Sequence, residues 1–541
     1  MSDHVDADVA IVGSGFGGAM TALILRRLGR SVVLLERGHH PRFAIGESST
    51  PLANLLLEEL ADRYRLPRLR SFSKWGTWRR EHPEVACGLK RGFSFFRHEP
   101  GEPFTDAPDH ARQLLVAASP HDEIADTHWY RPEFDAFLVR EAQEAGASYL
   151  DETVLGRPRF EPNGAVLEGA REGHDLLVSA RFVIDASGAR GYLQRALGLP
   201  EAPLRFMPAT EGLYSHFADV ARFDRLCPPA SAPPYPIDDA ALHHVFPGGW
   251  MWVLRFANGI ASAGAAVVSE HARALRLEEG GEAAWNRLLA GLPSVRDQFE
   301  ASGPVHPFVY SPRLAARAST VCGPRWAMLP STAGVIDPLL STGFPLNLLG
   351  IGRLVEILEA HWEAEGQGEA LAQYARQTQD ELDATERLVG ALYATMADFE
   401  LFKRLTLLYF AAASFSETVR RLGRPEKARG FLLYADERFE PELRACCDDA
   451  FARPRGDARG RLMERIDRAI EPYDVAGLGD RSRRDWYPVR AQDLLDAAPK
   501  LGAAPHELAG LLERCGFSGV RMPIGSPTAA ATSPADTVRS W

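Results

Sequence analysis

The stretch Asp8-Val-Ala-Ile-Val-Gly13-Ser-Gly15-Phe-Gly-Gly18 decides the fold of this chain. The run from Asp8 to Val12 is short, apolar and stopped by glycine, which predicts a buried parallel strand. The segment from Gly17 to Leu28 is rich in Ala, Leu and Arg and predicts a helix. The apolar run Ser31-Val-Val-Leu-Leu-Glu36 then predicts a second strand. The order strand, helix, strand predicts a βαβ unit.

The glycines between the first strand and the helix follow a GxGxxG pattern. Gly13 permits a tight turn, Gly15 lets the backbone approach a pyrophosphate, and Gly18 allows the helix to pack closely. Glu36, at the end of the second strand, is placed to accept a ribose hydroxyl. The alternative is a glycine-rich turn that binds nothing. The candidate contacts to a dinucleotide are Gly13, Gly15, Phe16, Gly18, Glu36 and Arg37.

The composition is that of a globular protein without a nucleic-acid partner or a membrane span. Of 541 residues, 45% are hydrophobic and 25% charged, and the net charge is -11, which disfavours phosphate-backbone partners. Six scattered cysteines show neither disulfide nor metal-ligand spacing. The acidic N-terminus leaves no room for a secretion signal, and no apolar run approaches membrane-spanning length. We therefore expect a soluble, cytoplasmic protein without a structural metal.

Two later segments favour FAD over NAD as the dinucleotide. The pattern Arg131-x-x-Phe134-Asp135-x-x-Leu138, followed by Ala142-x-x-x-Gly146-Ala147, resembles a helix of FAD oxidoreductases of the hydroxylase and halogenase type. The run Val183-Ile-Asp185-Ala-Ser-Gly188 resembles the second strand with which those enzymes contact the cofactor. For the second run, a buried strand and turn is the structural alternative. Arg131, Asp185 and Gly188 therefore become candidate FAD contacts.

Three further segments occur in the order found in flavin-dependent halogenases. They are Gly46-Glu47-Ser48-Ser49-Thr50-Pro51, Gly88-Leu-Lys90-Arg-Gly-Phe-Ser-Phe-Phe96 and Ala333-Gly-Val-Ile-Asp337-Pro338-Leu-Leu-Ser341-Thr342-Gly343. Over about residues 5 to 420 the chain resembles that family, which includes the tryptophan halogenases. The resemblance implies an α/β fold with a Rossmann-type FAD-binding part, an antiparallel substrate-side sheet and a C-terminal helical subdomain.

The resemblance also implies a reaction. In that family reduced FAD and oxygen oxidise chloride or bromide to hypohalous acid, and a lysine passes the halogen to an electron-rich aromatic substrate. Lys90 is the candidate lysine, and Thr342 and Gly343 are the candidate halide contacts. The remaining candidate FAD contacts are Gly46, Glu47, Ser48, Asp337 and Gly343.

The composition supports Lys90 independently of the resemblance. Only five of the 61 basic residues are lysine, so basic surface positions in this chain are nearly always arginine. A lysine in an aromatic, glycine-flanked strand suggests an amine chemistry that arginine cannot supply. An ion-paired or surface lysine is the alternative. Lys74, in Lys74-Trp-Gly-Thr-Trp78, is a second candidate.

The chain departs from the halogenase pattern in two places. A Trp-x-Trp-x-Ile-Pro signature is replaced by Trp250-Met-Trp252-Val-Leu254, and Pro330-Ser331-Thr332 replaces Gly-Asp-Ala. Trp250 and Trp252 face one side of a strand, as a substrate platform or as core packing. The departures leave an FAD-dependent monooxygenase or dehydrogenase, or a flavin-binding protein without catalysis, as alternative functions.

Two titratable residues have open roles. His216 is either a general base or a hydrogen-bonded core histidine. Glu47 either assists proton transfer near the flavin or caps the helix that begins near Pro51. No second GxGxxG follows a strand, which suggests that a separate reductase supplies reduced flavin. The resemblance implies an aromatic small-molecule substrate, free or tethered to a carrier protein.

The domain boundaries follow from these assignments. Residues 1–350 form the body, with FAD-binding parts at about 1–60, 110–200 and 315–350 and the substrate side at about 61–109 and 201–314. Residues 351–525 are predicted to be mostly helical. The tail 526–541, rich in Ser, Thr, Ala and Pro, is predicted to be disordered.

Overall fold

The predicted βαβ unit is present at the start of the chain. A computed structural model describes residues 3–517, so the tail 526–541 lies outside the described residues. Strand Asp3–Val12, helix Phe16–Arg27 and strand Val32–Leu35 follow one another as the sequence predicts. The first strand pairs in parallel with both Val32–Leu35 and His174–Asp185. The carboxyl-terminal half of this strand, Val9 to Val12, is buried, whereas its first residues are partly exposed.

The strands of this first sheet place the glycine-rich loop at their carboxyl ends. The loop leaves Val12, whose register partner is Asp185, so the two predicted cofactor segments lie side by side. This is the edge at which open α/β sheets bind ligands. The other strands of the first sheet are Ser148–Leu150, Thr153–Leu155, Arg159–Glu161, Gly164–Arg171, Cys322–Gly323 and Trp326–Met328.

A second, mainly antiparallel sheet forms the substrate side. Its centre is the antiparallel run Ala241–Phe246, Gly249–Arg255 and Ile260–Val268, in which tight turns connect neighbours. Its other strands are Gly92–Arg97, Gln113–Ala117, Thr210–Ala218, Gly303–Pro304, Val309–Ser311 and Trp486–Tyr487. Two short ribbons complete the strands, Cys87–Lys90 with Asp126–Trp129 and Ala316–Arg317 with Gly334–Val335.

Two strands correct the boundaries drawn from the sequence. Gln113–Ala117 pairs with Gly92–Arg97 in the second sheet, although the boundary at residue 110 assigns it to the FAD-binding part. Trp486–Tyr487 joins the same sheet in parallel from within the C-terminal region. A short apolar strand carries no local signal of its partner, because pairing is set by which sheet edge is available in three dimensions.

The region after residue 342 is helical, as predicted. Its long helices are Gly343–Ala360, Gln367–Thr395, Phe399–Arg421, Phe439–Phe451 and Gly456–Ile470, and its short ones are Ala491–Asp496, Ala498–Leu501 and Pro505–Arg514. The helices before it are Pro51–Arg63, Pro67–Arg70, Trp75–Glu81, Arg131–Glu144, Tyr192–Leu197, Phe223–Leu226, Ser269–Ala274, Gly281–Ala290, Pro293–Gln298 and Pro330–Ala333. Within residues 3–517, no helix is both long and apolar enough to cross a bilayer.

One hydrophobic core connects these parts. It runs from the first sheet through Phe93 and Trp250 of the second sheet to Leu405 and Leu462 of the C-terminal helices. A smaller core, which includes Trp285 and Phe299, lies on the outer face of the second sheet. The substrate-side sheet is therefore buried on both faces, and its inner face looks toward the long helices.

Candidate functional site

The glycine-rich loop accepts no side chains at its first and last glycines. Gly13 has a φ of +101°, and a Cβ there would lie 2.6 Å from the backbone of Ala186. A Cβ on Gly18 would collide with the carbonyl oxygen of Gly13. The loop therefore packs directly against the end of strand His174–Asp185, which explains why glycine is required at both positions.

Glu36 is held as an ionised acceptor beside this loop. It accepts hydrogen bonds from the amide and hydroxyl of Ser14, at 3.0 and 2.9 Å, and from the amide of Gly38 at 3.1 Å. Burial alone would raise its pKa, but Arg42 and these amides outweigh burial and lower it. Arg37, by contrast, is exposed, so a cofactor contact from Arg37 stays a prediction.

The residues around the loop fit an anionic dinucleotide. Helix Phe16–Arg27 begins at Gly15 with neither a side-chain cap nor an acidic residue in its first turn, which leaves its first amides available to a pyrophosphate. Three buried polar atoms nearby in the chain have no protein partner: Nδ1 of His40, Nε of Arg42 and Oγ of Ser48. Such orphaned groups are explained by a bound polar molecule.

Arg131 fixes the segment that precedes Glu47. From the start of helix Arg131–Glu144 it makes a bidentate pair with Asp135, both distances being 2.7 Å. Its remaining nitrogen donates to the carbonyls of Ile45 and Gly46 at 3.1 and 3.0 Å. The guanidinium also lies 4.9 Å from the centre of the Phe16 ring. Arg131 thus joins the nucleotide loop to the loop at Gly46.

Asp185 shapes the turn that follows its strand. Its buried carboxylate accepts from the amide of Ser187 at 3.0 Å and from the amide of Leu193 at 2.6 Å. Gly188, with a φ of +85°, donates its amide to Oγ1 of Thr332 at 3.1 Å. These contacts agree with a buried strand and turn, and a direct contact of Asp185 with FAD stays a prediction.

Asn347 is a site residue that the sequence analysis missed. Its side chain is fully buried and accepts from the amide of Ser331 at 3.2 Å, in the segment that replaces Gly-Asp-Ala. Its Nδ2 atom has no partner and would lie 2.5 Å from a Cβ on Gly17. An unsatisfied amide between helix Gly343–Ala360 and the nucleotide helix fits a cofactor contact. The sequence around Asn347 contains no pattern that marks a site residue, because Asn347 lies inside an ordinary helix.

Glu47 and His216 form a buried pair across the site. Nε2 of His216 lies 2.7 Å from Oε1 of Glu47, and both side chains are inaccessible to solvent. Thr50, rather than Glu47, caps helix Pro51–Arg63 by accepting from the amide of Ala53 at 3.2 Å. The capping alternative for Glu47 is therefore wrong. His216 is a core histidine with one bonded nitrogen, while its Nδ1 has no partner.

Lys90 is fully buried between the Gly46–Pro51 segment and the second sheet. Its Nζ donates to the carbonyl of Ser49 and lies 3.8 Å from the centre of the Phe93 ring. Burial lowers the pKa of Lys90, and the charge of Asp126 opposes that shift. Burial of the His128 ring and the nearby charge of Lys90 lower the pKa of His128. Lys90 is thus an interior amine and not a surface charge.

A cavity of about 210 Å³ is lined by two neighbours of Lys90, the Phe93 ring and its register partner Asp126, although Lys90 itself does not line it. One wall comes from Phe93 and Val116 of the second sheet, and another from Asn54 and the start of helix Pro51–Arg63. The opposite walls come from helix Phe399–Arg421 and from residues between 475 and 517, and these contribute Phe410, Leu478, Leu494 and Leu512. Lys74 also lines this cavity, with its Nζ 3.8 Å from Glu58.

Trp250 and Trp252 belong to the core. Trp250 donates toward Oδ1 of Asp337 at 3.2 Å and toward the hydroxyl of Tyr393 at 3.1 Å. Trp252 donates to Ser262 at 3.3 Å. Both rings are buried, which favours the core-packing interpretation over a substrate platform. Burial also raises the pKa of Asp337 to about 6.

The segment after Asp337 has an unusual backbone. Leu340 and Ser341 have φ values of +65° and +56°, a left-handed conformation that costs about 1–3 kcal/mol per residue without glycine. Thr342 and Gly343 then begin helix Gly343–Ala360, where the first amides have no intrahelical partner. These amides fit an anion, so a halide contact at Thr342 and Gly343 stays a prediction with compatible geometry.

Comparisons with known proteins agree with this geometry. The family model for FAD dependent oxidoreductases matches residues 8–276. The chain is 29% identical to the monodechloroaminopyrrolnitrin halogenase PrnC of Pseudomonas fluorescens, over 74% of this chain and 70% of that protein. It is 28% identical to the tetracycline 7-halogenase of Kitasatospora aureofaciens, over 75% and 73% of the two chains.

A solved structure covers more of the chain. The crystal structure of halogenase PltM in complex with phloroglucinol and FAD superimposes with a TM-score of 0.77 and 25% sequence identity. The superposition covers 88% of this chain and 99% of the other. The likeness therefore extends over most of this chain and nearly all of the other.

Proposed function

From its similarity to flavin-dependent halogenases, we propose that this chain is an FAD-dependent halogenase that acts on a small electron-rich aromatic molecule at the cavity lined by Phe93 and Asp126, two neighbours of Lys90. Lys90 holds the electrophilic halogen and presents it to the ring. Chloride or bromide is the co-substrate, and a separate reductase supplies reduced FAD.

The position of Lys90 is the observation that carries this proposal. Its ammonium contacts the Ser49 carbonyl on the cofactor side and the Phe93 ring on the cavity side. When bound and reduced, FAD supplies the electrons that activate oxygen for halide oxidation. The residues that would hold FAD are Gly13, Gly15, Gly18, Glu36, Arg42, Ser48 and Asn347. A buried amine between the two sites limits escape of hypohalous acid to solvent.

The cavity limits the size of the substrate. At about 210 Å³ it exceeds the roughly 150 Å³ that accommodates benzene, which suits one substituted ring or a small fused pair. Aromatic walls such as Phe93 and Phe410 match a flat apolar ring. Phloroglucinol, present in the PltM crystal structure, is a suitable first substrate to test, and a carrier-tethered ring of similar size is the second.

The test is product analysis with a single substitution. FAD-loaded protein is incubated with a flavin reductase, NADH, oxygen, bromide and phloroglucinol, and the products are identified by mass spectrometry. We expect brominated product from the wild type and a loss of at least about 100-fold in Lys90→Ala, because the amine acts directly on the halogen. FAD binding and NADH oxidation should remain.

Lys427→Ala is the matched control, since Lys427 donates to the Leu501 carbonyl at 2.8 Å, whereas Lys90 donates to the Ser49 carbonyl and lies over the Phe93 ring. Full-rate bromination by Lys90→Ala would remove Lys90 from the mechanism. Oxygenated product without bromine would instead indicate the monooxygenase alternative.

A further inference from the structure

Asp126 is a buried carboxylate that faces both Lys90 and the cavity. It begins strand Asp126–Trp129 and is the antiparallel register partner of Lys90, so both side chains leave the ribbon on one face. Its side chain is 4% exposed and lines the cavity. Nδ2 of Asn54 donates to its Oδ1 at 2.8 Å. Its Oδ2 has no hydrogen-bond partner.

A second unpartnered acceptor lies beside it. Oδ1 of Asn54 is also buried without a partner, and Asn54 lines the same cavity. Leaving a buried acceptor unsatisfied costs about 1–3 kcal/mol, and more for a charged group. A ligand that brings hydrogen-bond donors would satisfy both unpartnered acceptor atoms, Oδ2 of Asp126 and Oδ1 of Asn54. An aromatic ring bearing O–H or N–H groups is such a ligand, whereas a hydrocarbon or an ether is not.

The charged and polar groups that face Asp126 come from three elements. Lys90 approaches from its own ribbon, Asn54 from helix Pro51–Arg63, and Glu417 and Arg421 from helix Phe399–Arg421. Burial raises the pKa of Asp126, Lys90 opposes that shift, and Glu417 reinforces it. The carboxylate is thus more basic than an exposed aspartate. It is therefore a better acceptor for the proton that a phenol or pyrrole loses during substitution.

Resting on the proposed function, we propose that Asp126 is a catalytic residue that accepts the O–H or N–H proton of the aromatic substrate, with Oδ1 of Asn54 fixing a second donor. The substrate class is then a hydroxy- or amino-substituted single ring, or a pyrrole- or indole-type heterocycle. Asp126 is the register partner of Lys90 and Asn54 is bonded to Asp126, so the ring position nearest the donor group on Asp126 meets the halogen.

The step balances with hypohalous acid as the oxidant. The ring carbon forms a bond to the halogen as the oxygen–halogen bond breaks, and the departing hydroxide takes a proton from the Lys90 ammonium and leaves as water. The substrate O–H proton passes to Asp126, which gives a neutral halogenated dienone. Lys90, now neutral, then takes the ring C–H proton, and Asp126 gives its proton back to the substrate oxygen. The carbon is oxidised by two electrons, and the halogen is reduced from +1 to -1.

Asp126→Asn tests this role with a matched pair of substrates. Phloroglucinol and 1,3,5-trimethoxybenzene are similarly electron-rich, but only the first has O–H groups. We expect Asp126→Asn to lower kcat/KM for bromination of phloroglucinol by about 100-fold or more, the usual contribution of a positioned base. Any bromination of the ether should change by less than about threefold, since the ether has no proton to give.

The pH profile supplies a second readout. The carboxylate must be ionised, so wild-type kcat/KM should rise with pH on an acid limb that Asp126→Asn lacks. The Asn54 hydrogen bond favours the charged carboxylate, so its removal in Asn54→Leu should move the acid limb to higher pH. A purely structural role for Asp126 predicts neither change.

Asp238→Asn is the control, because Asp238 is equally buried but pairs with Arg255 at 3.2 Å and does not line the cavity. It should keep the acid limb and the response to phloroglucinol. If the wild type forms no brominated product, the proposed function itself fails. If the wild type brominates and Asp126→Asn keeps its rate and acid limb, the role of Asp126 is overturned. If Asp126→Asn does not fold, an unmoved limb in Asn54→Leu overturns it.

Discussion

The hydrogen bond between Glu47 and His216 joins the Gly46–Pro51 segment to the second sheet. Glu47→Ala would leave His216 buried with neither ring nitrogen bonded, because Nδ1 already has no partner. We expect it to lower the free energy of unfolding by about 1–3 kcal/mol. Glu47→Gln keeps an acceptor oxygen and should recover most of that loss. Thermal unfolding of the two variants with bound FAD measures the difference.

Glu81→Ala removes an exposed glutamate from the end of a helix and should change the unfolding free energy by less than about 0.5 kcal/mol. Equal stability of Glu47→Ala and Glu81→Ala would mean that the buried pair contributes nothing.

Gly18 is a residue at which a single added methyl group should weaken cofactor binding. In Gly18→Ala the new Cβ collides with the Gly13 carbonyl, so the nucleotide loop must move. We expect the FAD dissociation constant to rise by at least about tenfold, as measured by flavin fluorescence titration. Gly368→Ala, within helix Gln367–Thr395 and with open space around its Cβ position, should bind FAD normally. Unchanged FAD affinity in Gly18→Ala would contradict the assignment of this loop to FAD binding.

At the scale of elements, helix Phe399–Arg421 sets the size of the cavity. Asp398 caps its first turn, and its 23 residues contain neither proline nor glycine. Ala413 faces the cavity from this helix. Ala413→Phe should fill part of the space and raise the KM for phloroglucinol by about tenfold or more, while FAD binding stays unchanged.

Ala360→Phe makes the same substitution at an exposed helix end and should leave KM unchanged. A larger effect of Ala360→Phe than of Ala413→Phe would mean that the substrate binds elsewhere.

At the scale of the whole molecule, one core links the cofactor side to the helices. Residues of the first sheet, the second sheet and the C-terminal helices belong to a single cluster. FAD binds the folded state and not the unfolded state, so it should stabilise the whole chain. The free energy of unfolding should rise by about 2.7 kcal/mol at an FAD concentration of 100 times Kd. We expect flavin fluorescence and far-ultraviolet circular dichroism to report one coincident transition whose Tm rises with FAD.

Hydrogen exchange extends this test to helix Phe399–Arg421, which should exchange more slowly when FAD is bound. A helical region that unfolds at a separate temperature, independent of FAD, would contradict the shared core.

The sequence by itself determined the features that depend on neighbours along the chain. The βαβ unit followed from apolar runs and the spacing of Gly13, Gly15 and Gly18, because strand, turn and helix are local choices. The halogenase resemblance named Lys90 as the candidate lysine, and the scarcity of lysine in this chain supported it. The prediction of a helical region after residue 350 succeeded for the same reason, since its long helices contain few residues that break a helix.

Which distant residues meet could not be predicted from the sequence and follows from the folded structure. Glu47 and His216 are 169 positions apart, and the pairing of Lys90 with Asp126 depends on the register of a two-stranded ribbon. Strand Trp486–Tyr487 and the cavity wall near Leu512 come from a region that shows only a helical packing pattern in sequence. Such contacts form when separate apolar surfaces are buried together, and no single stretch of chain encodes its partner.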